Sequence, residues 1–320
     1  MKRSLSLLCL LIFCVAEPAD AQVIFDFTFE DVVNNTGVGF DDAALGTERQ
    51  NTIIAVGNYI DSVLNESGTI NITISSADLG PGVLGVGGPT FSSVGGMLAP
   101  FVNGNGFESI TGSNGGPNGS GEDGTLTINF GEGFNSGLDS PTSSELDLFT
   151  VALHEFGHIL GVTTASNSAG VSTLQTSSGD SAFTVFNSFL ELGDGTQLFG
   201  PNGAFLGDAS DLTSGDVFFN GANANAQNGG SPVPIFAPSE FNGGASLGHV
   251  ELPGESVLNF AVIPGQETRE FNGQELGILA DIGFDVNFSV LTPAIPEPSS
   301  LCLLLGFSTI MITRRRRTRC

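Results

Sequence analysis

A run of apolar residues that carries two histidines four positions apart leaves a chain few ways to fold around it. In LFTVALHEFGHILGVTT, Leu148 to Thr164, the apolar-rich stretch extends from Leu146 through Val162 and reads as one helix. Pro141 and Thr142 precede Ser-Ser-Glu145, a Thr-x-x-Glu pattern that predicts a capping box at the start of this helix. Residues four apart share a helical face, so His154 and His158 can direct two imidazole nitrogens at one ion. Glu155 is then adjacent to the ion without being forced to bind it. With three His and 17 Glu in 320 residues, chance supplies about 0.0015 matches to His-Glu-x-x-His. The pattern is therefore informative, and a structural helix with two surface histidines is the weaker alternative.

A catalytic zinc ordinarily takes three protein ligands and keeps a fourth position for water. Thr164, six residues past His158, offers only a weakly donating hydroxyl. One other histidine exists in the chain, His249 in SLGHVELPGESVLNF. Asp and Glu are the other candidates, but a neutral imidazole is the better partner for two imidazoles already in place. The expected metal set is thus His154, His158 and His249. Glu155 is the expected general base, well placed to accept a proton from a zinc-bound water.

The two ends of the chain read as processed. MKRSLSLLCLLIFCVAEPADAQ has Lys2 and Arg3, an apolar run from Leu5 to Ala16 and Ala19-Asp20-Ala21, so residues 1–21 read as a secretory signal peptide. At the other end, IPEPSSLCLLLGFSTIMITRRRRTRC contains Pro296-Glu297-Pro298, a short apolar stretch and an arginine cluster. This resembles the bacterial PEP-CTERM sorting tail, which implies export, processing at the Pro-Glu-Pro and a membrane association confined to the C-terminal segment before processing. A permanent tail anchor is the alternative, and the apolar run is short for a stable span. The expected organisation is a domain at 22–289, a linker at 290–298 and a sorting tail at 299–320. All four cysteines, Cys9, Cys14, Cys302 and Cys320, fall in these ends. The domain between them has no disulfide and must be held by its core or by bound metal.

Of the nine basic residues only Arg49 and Arg269 lie between Gln22 and Pro298, against 32 of the 34 acidic ones, so that segment carries about −30. Nucleic acid is excluded as a partner. The acidity fits a solvated surface suited to salty water, or carboxylates partly used for calcium. Asp208 to Asp216 and Gly193 to Thr196 supply oxygens without EF-hand spacing, so calcium is a second candidate ion with no assigned ligands.

Within the domain, VIFDFTFED from Val23 alternates apolar and polar residues and predicts a strand. Ile53, Val56, Ile60 and Val63 recur at helical spacing and predict an amphipathic helix within Asp42 to Leu64. Thr69 to Leu79 and Thr125 to Phe130 read as further strands, and Ala182 to Leu192 and Gln274 to Ile282 as short helices. Gly-rich stretches that keep Phe, Leu, Ile and Val read as ordered loops.

The run HEFGHILG, with Gly161 three residues after the second histidine, resembles the metzincin metalloproteases, in which the helix ends there and the chain turns under the metal. Most metzincins place the third histidine three residues later. The leishmanolysin-like branch takes it from far downstream, followed by a methionine-containing turn and a terminal helix. Here His249 is followed by Val257-Leu-Asn-Phe260 and by QELGILADIGFDV, Gln274 to Val286. Leu258 stands where the turn methionine is expected, since the methionines are Met1, Met97 and Met311; leucine is close in volume and can fill the same apolar floor.

The resemblance implies an α+β fold: a metzincin-like zinc protease domain with an N-terminal mixed sheet, two helices including the HExxH helix, a cleft near 161–164 and an irregular, loop-rich C-terminal subdomain. It implies one catalytic zinc and hydrolysis of peptide bonds in protein or peptide substrates, in an extracellular, cell-surface or matrix location reached through export and sorting machinery. The alternative is a catalytically weak or inactive zinc-binding matrix or surface protein on the same scaffold. A non-peptidase zinc hydrolase is a third reading.

Overall fold

The computed structural model describes residues 22–91, 101–112, 121–175, 181–252 and 256–291. The expected signal peptide, the Pro296-Glu297-Pro298 motif and the sorting tail lie outside the described residues. Among the described residues the fold is α+β, and no helix is long and apolar enough to cross a membrane.

Period-two patterns build the main sheet. Strand β1 (Val23–Phe29) pairs in parallel with β2 (Gly68–Ser76), Phe25 opposite Ile70 and Phe27 opposite Ile72. A short helix, α1 (Glu30–Asn34), and the longer α2 (Gly46–Val63) form the crossover between them. Strand β3 (Gly85–Pro89) lies at the sheet edge and runs antiparallel to β4 (Gly124–Ile128), which pairs in parallel with β2. The order is β1-β2-β4-β3. Helix α3 (Asn105–Thr111) packs at the start of β2, where Ile70 meets Gly106.

Helix α2 buries Ile53, Val56, Ile60 and Val63, the stripe its spacing predicts. The HExxH segment forms α4 (Leu148–Ile159), every residue of which is buried. Phe156 sits edge-on to Phe25 at 5.6 Å and to Phe27 at 6.0 Å, and a Cβ on Gly57 of α2 would meet the same two rings at 3.0–3.2 Å. Both helices therefore cover one face of the sheet. A helix apolar all round belongs in a core, so the histidines of α4 reach their site from inside the molecule.

The chain beyond α4 has less regular structure. Strands β5 (Leu190–Leu192), β6 (Val217–Phe219) and β7 (Val233–Ile235) form a small antiparallel sheet, followed by pairing of Ile235 with Val250. Helix α5 (Ala222–Gln227) packs on α6 (Gly273–Asp281), where the Asp281 carboxylate accepts the Asn223 and Ala224 N–H groups.

Two expectations from the sequence are corrected. Thr142 and Glu145 do bond one another, but as a turn; Leu146–Asp147 then pairs with Phe134–Asn135, and α4 begins at Leu148. Its N-cap is Asp147, which accepts the Thr150 N–H at 3.1 Å and is held by Arg269 at 2.7 Å. The stretch 182–192 is not an α-helix. Ser181–Thr184 is extended, Val185–Phe189 is a 3₁₀ segment and Leu190 opens β5. Phe183 and Thr184 favour extended backbone, and the reciprocal cap between Thr184 and Asn187 then turns the chain into the 3₁₀ segment.

Candidate metal centre

Helix α4 brings His154 and His158 to one face, and the link from β7 delivers His249 to the same point. The Nε2 of His154 lies 3.0 Å from that of His249 and 3.1 Å from that of His158, and the His158–His249 separation is 3.1 Å. Each ring is fixed from behind: Nδ1 of His154 donates to Val257 O, that of His158 to Val162 O and that of His249 to Ala245 O, all at 2.7 Å. A carbonyl can only accept, so the proton of each neutral ring is on Nδ1 and all three Nε2 atoms present bare lone pairs. Three lone pairs facing one another in a buried site repel unless a cation lies among them. The set could hold a metal ion, and it is the group of three or more candidate ligands found among the described residues.

Burial acts in the same direction. The histidines are 5–8% exposed. Desolvation, reinforced by the neighbouring imidazole of His158, lowers His154 to about 3, and desolvation also holds His158 and His249 below the ordinary imidazole value. Imidazoles kept neutral are ready for metal without first losing protons.

The turn after α4 explains how His158 is held. Leu160 caps the helix, Gly161 takes φ +106°, its N–H bonds His158 O, and the Val162 N–H bonds Gly157 O. This paired pattern is a Schellman turn, which requires a residue such as glycine in the left-handed region. It delivers Val162 O to Nδ1 of His158. Thr164 is engaged elsewhere, accepting from Asn187 Nδ2 at 2.8 Å and Ser166 N at 3.1 Å.

Leu258 lies under α4. A Cβ on Gly157 would come within 2.4 Å of Leu258 Cδ2, so the glycine inside HEFGH is what lets this side chain reach the helix. The Val250 N–H bonds Leu258 O at 3.0 Å, and the Phe236 N–H bonds His249 O at 2.9 Å, tying the third histidine to both the turn and β7. Leu247, two residues before it, adopts φ +65°, a left-handed conformation costly for a side chain of this kind.

Glu155 follows His154 and is 6% exposed. Burial pushes its carboxyl up to about 8, opposed by the backbone amide of Gly87. Cβ atoms built on Gly87 and Gly85 would lie 2.7 and 3.2 Å from Glu155, so β3 can cover this residue only because those positions lack side chains. A cavity of about 620 Å³ opens beside the segment that follows Leu258, lined by Asn259, Ala261, Ile263 and Pro264 among others.

The structure thus gathers His154, His158 and His249, with Gly161 and Leu258 supporting them. The acidic stretches at 193–196 and 208–216 instead bond their own loops, Asp194 accepting Thr196 N and Asp211 accepting Asp208 N. Sequence reasoning missed the glycine-rich β3, which has no apolar alternation to reveal it, and the buried Glu275 of α6. The Asn272-x-x-Glu275 capping pattern was the available signal for the latter. No protein-family model matches the chain, and a search of curated proteins returns no match.

Proposed function

We propose that this chain is an exported zinc-dependent endopeptidase of metzincin type, resembling the leishmanolysin-like branch, with His154, His158 and His249 as metal ligands and Glu155 as general base. The observation that carries this reading is the convergence of three Nε2 lone pairs, each ring oriented by a carbonyl, with Glu155 directly following His154 in the same helix. Zinc–nitrogen distances of about 2.0–2.1 Å in a tetrahedral site place the nitrogens about 3.3–3.4 Å apart, a few tenths of an ångström wider than the 3.0–3.1 Å found here. The donor set suits zinc: three neutral nitrogens, no thiolate and no carboxylate ligand.

Bound zinc supplies Lewis acidity toward a carbonyl oxygen and acidifies water. The residues of the chain do the rest. The Nδ1–H bonds keep the imidazoles from rotating. The Glu155 carboxylate takes a proton from water as the water oxygen joins the peptide carbon, and returns it to the amine nitrogen as the carbon–nitrogen bond breaks. Leu258 supplies the apolar floor under the site.

The competing reading, a zinc-binding matrix or surface protein, draws support from the cover that β3 gives Glu155. Metal analysis combined with cleavage of an unfolded protein separates the two. The endopeptidase reading requires one zinc per chain, cleavage by wild type, loss of cleavage with retained zinc in Glu155→Gln, and weakened zinc in His249→Ala. An inactive, zinc-loaded wild type favours the scaffold. Full zinc occupancy in His249→Ala overturns the ligand assignment.

A further inference from the structure

The Leu258 turn is held by a carboxylate to which the proposed reaction gives no part. Glu275, in the first turn of α6, is completely buried. Its Oε1 accepts the Leu258 N–H at 2.7 Å and the Ser256 hydroxyl at 2.5 Å, and its Oε2 accepts the Asn272 N–H at 2.8 Å. The Leu258 N–H belongs to the same peptide unit as Val257 O, and Val257 O is the acceptor for Nδ1 of His154 at 2.7 Å. One peptide group therefore has a carboxylate at its N–H end and a metal-site imidazole at its carbonyl end.

Hydrogen bonds in series polarise one another. A carboxylate on the N–H shifts electron density toward the carbonyl oxygen, which then binds the Nδ1 proton more strongly and leaves Nε2 a better donor. The other two histidines are backed differently. The peptide that offers Val162 O to His158 has its N–H, that of Thr163, on Gly161 O at 2.8 Å. The peptide that offers Ala245 O to His249 has its N–H, that of Ser246, on Asn242 O at 2.7 Å. Both of those series end on neutral carbonyls, and the one behind His154 ends on a carboxylate.

We propose that Glu275 is a positioning residue for the metal centre, acting through the 257–258 peptide to orient His154 and strengthen it as a ligand. This rests on the three-histidine reading above. It also gives α6 a part in the site without contact to the ion: the helix start, the turn and the histidine are one connected unit.

The test is competition for zinc against a chromophoric chelator, using the purified protein and its Glu275→Gln variant, which keeps the side-chain shape and removes the charge. The expected result is zinc binding weakened by about 10–100-fold, with an altered visible spectrum when cobalt(II) replaces zinc. Asn272→Ala controls for general loosening of the helix start, because it removes the Asn272 Oδ1 bond to Glu275 N at 2.9 Å and leaves the bond to Leu258. This control loses stability but keeps wild-type zinc affinity and cobalt spectrum. Equal zinc affinity in wild type and Glu275→Gln overturns the proposal alone, as does equal weakening in Asn272→Ala. A wild-type protein that takes up no zinc overturns the metal-centre reading and this proposal with it.

Discussion

From Val23 to Ile159 the chain is carried by a four-stranded sheet and two long helices whose apolar faces meet; from Leu160 to Leu291 the described strands are two to four residues long and the described α-helices six and nine. The second region keeps its shape with side chains that bond backbone: Asn187 to Ala165, Asp281 to Asn223 and Ala224, Glu275 to Leu258 and Asn272. Both kinds of construction meet at the histidines, two from the first region and one from the second. Apolar layers fix a platform with little demand on individual polar groups, whereas loops hold a ligand in place only if each buried donor and acceptor is matched.

The sharpest way to break the first region is Phe156→Ala, which empties the space against Phe25 and Phe27 and is expected to cost about 3–5 kcal/mol in denaturant unfolding. Arg269→Met attacks the tie between regions. It leaves the Asp147 carboxylate, fully buried at the N-cap of α4, without its cation. Because Arg269 is 18% exposed, the expected loss is at the lower end of about 3–5 kcal/mol, read from the same unfolding curves.

Metal removal sharpens the contrast. A chelator is expected to lower stability by about 3–4 kcal/mol relative to zinc held at 100–1,000 times its dissociation constant. Amide exchange should accelerate first at 245–252 and 256–259 and last in β1 and β2. Uniform acceleration would deny the division between regions.

Acid has a related effect on the metal-free protein. The folded-state values of the three histidines lie below the unfolded value, so the unfolded chain binds protons first. Stability is therefore present above pH about 6.5 and lost as pH falls toward about 3, the value for His154. The slope is about 1.4 kcal/mol per pH unit for each imidazole involved, measurable from unfolding midpoints. Burial raises the Glu66, Glu155 and Glu275 carboxyls, which act in the opposite sense over this range, so the histidine part is the slope lost in His249→Ala, and an unchanged slope there would contradict it. The smallest expected effect on metal is that of Thr164→Val, which removes the acceptor for Asn187 but leaves zinc affinity near wild type.

What could be read from the sequence follows the same division. Strands β1, β2 and β4 and helix α2 were legible because one face of each is apolar at its own period, and the histidines because the chain has only three. The expected start of α4 at Thr142–Glu145 overlooked a competing cap, Asp147, whose partner Arg269 is distant in sequence. The expected helix at 182–192 gave way because Phe183 and Thr184 suit extended chain and Thr184 with Asn187 caps a 3₁₀ segment instead. Strand β3 escaped notice for the reason it matters: Gly85 and Gly87 show no apolar pattern, yet their missing side chains admit Glu155. Glu275 is visible as a helix cap, but its link to His154 through Leu258 and Val257 exists only in three dimensions.

The two arginines of the domain carry one more consequence. Arg49 gives a guanidinium N–H to Gly39 O at 2.6 Å and lies 3.8 Å over the Phe130 ring, while Arg269 is bound to Asp147 and to the carbonyls of Leu138 and Asp139. The chain from Gln22 to Leu291 contains no lysine. An enzyme of trypsin-like specificity therefore meets only two cleavable bonds in this span, both beside side chains already committed to the fold. The folded domain should pass whole through a trypsin digest that dismantles the unfolded one, and amine-reactive reagents have no side chain in it to label.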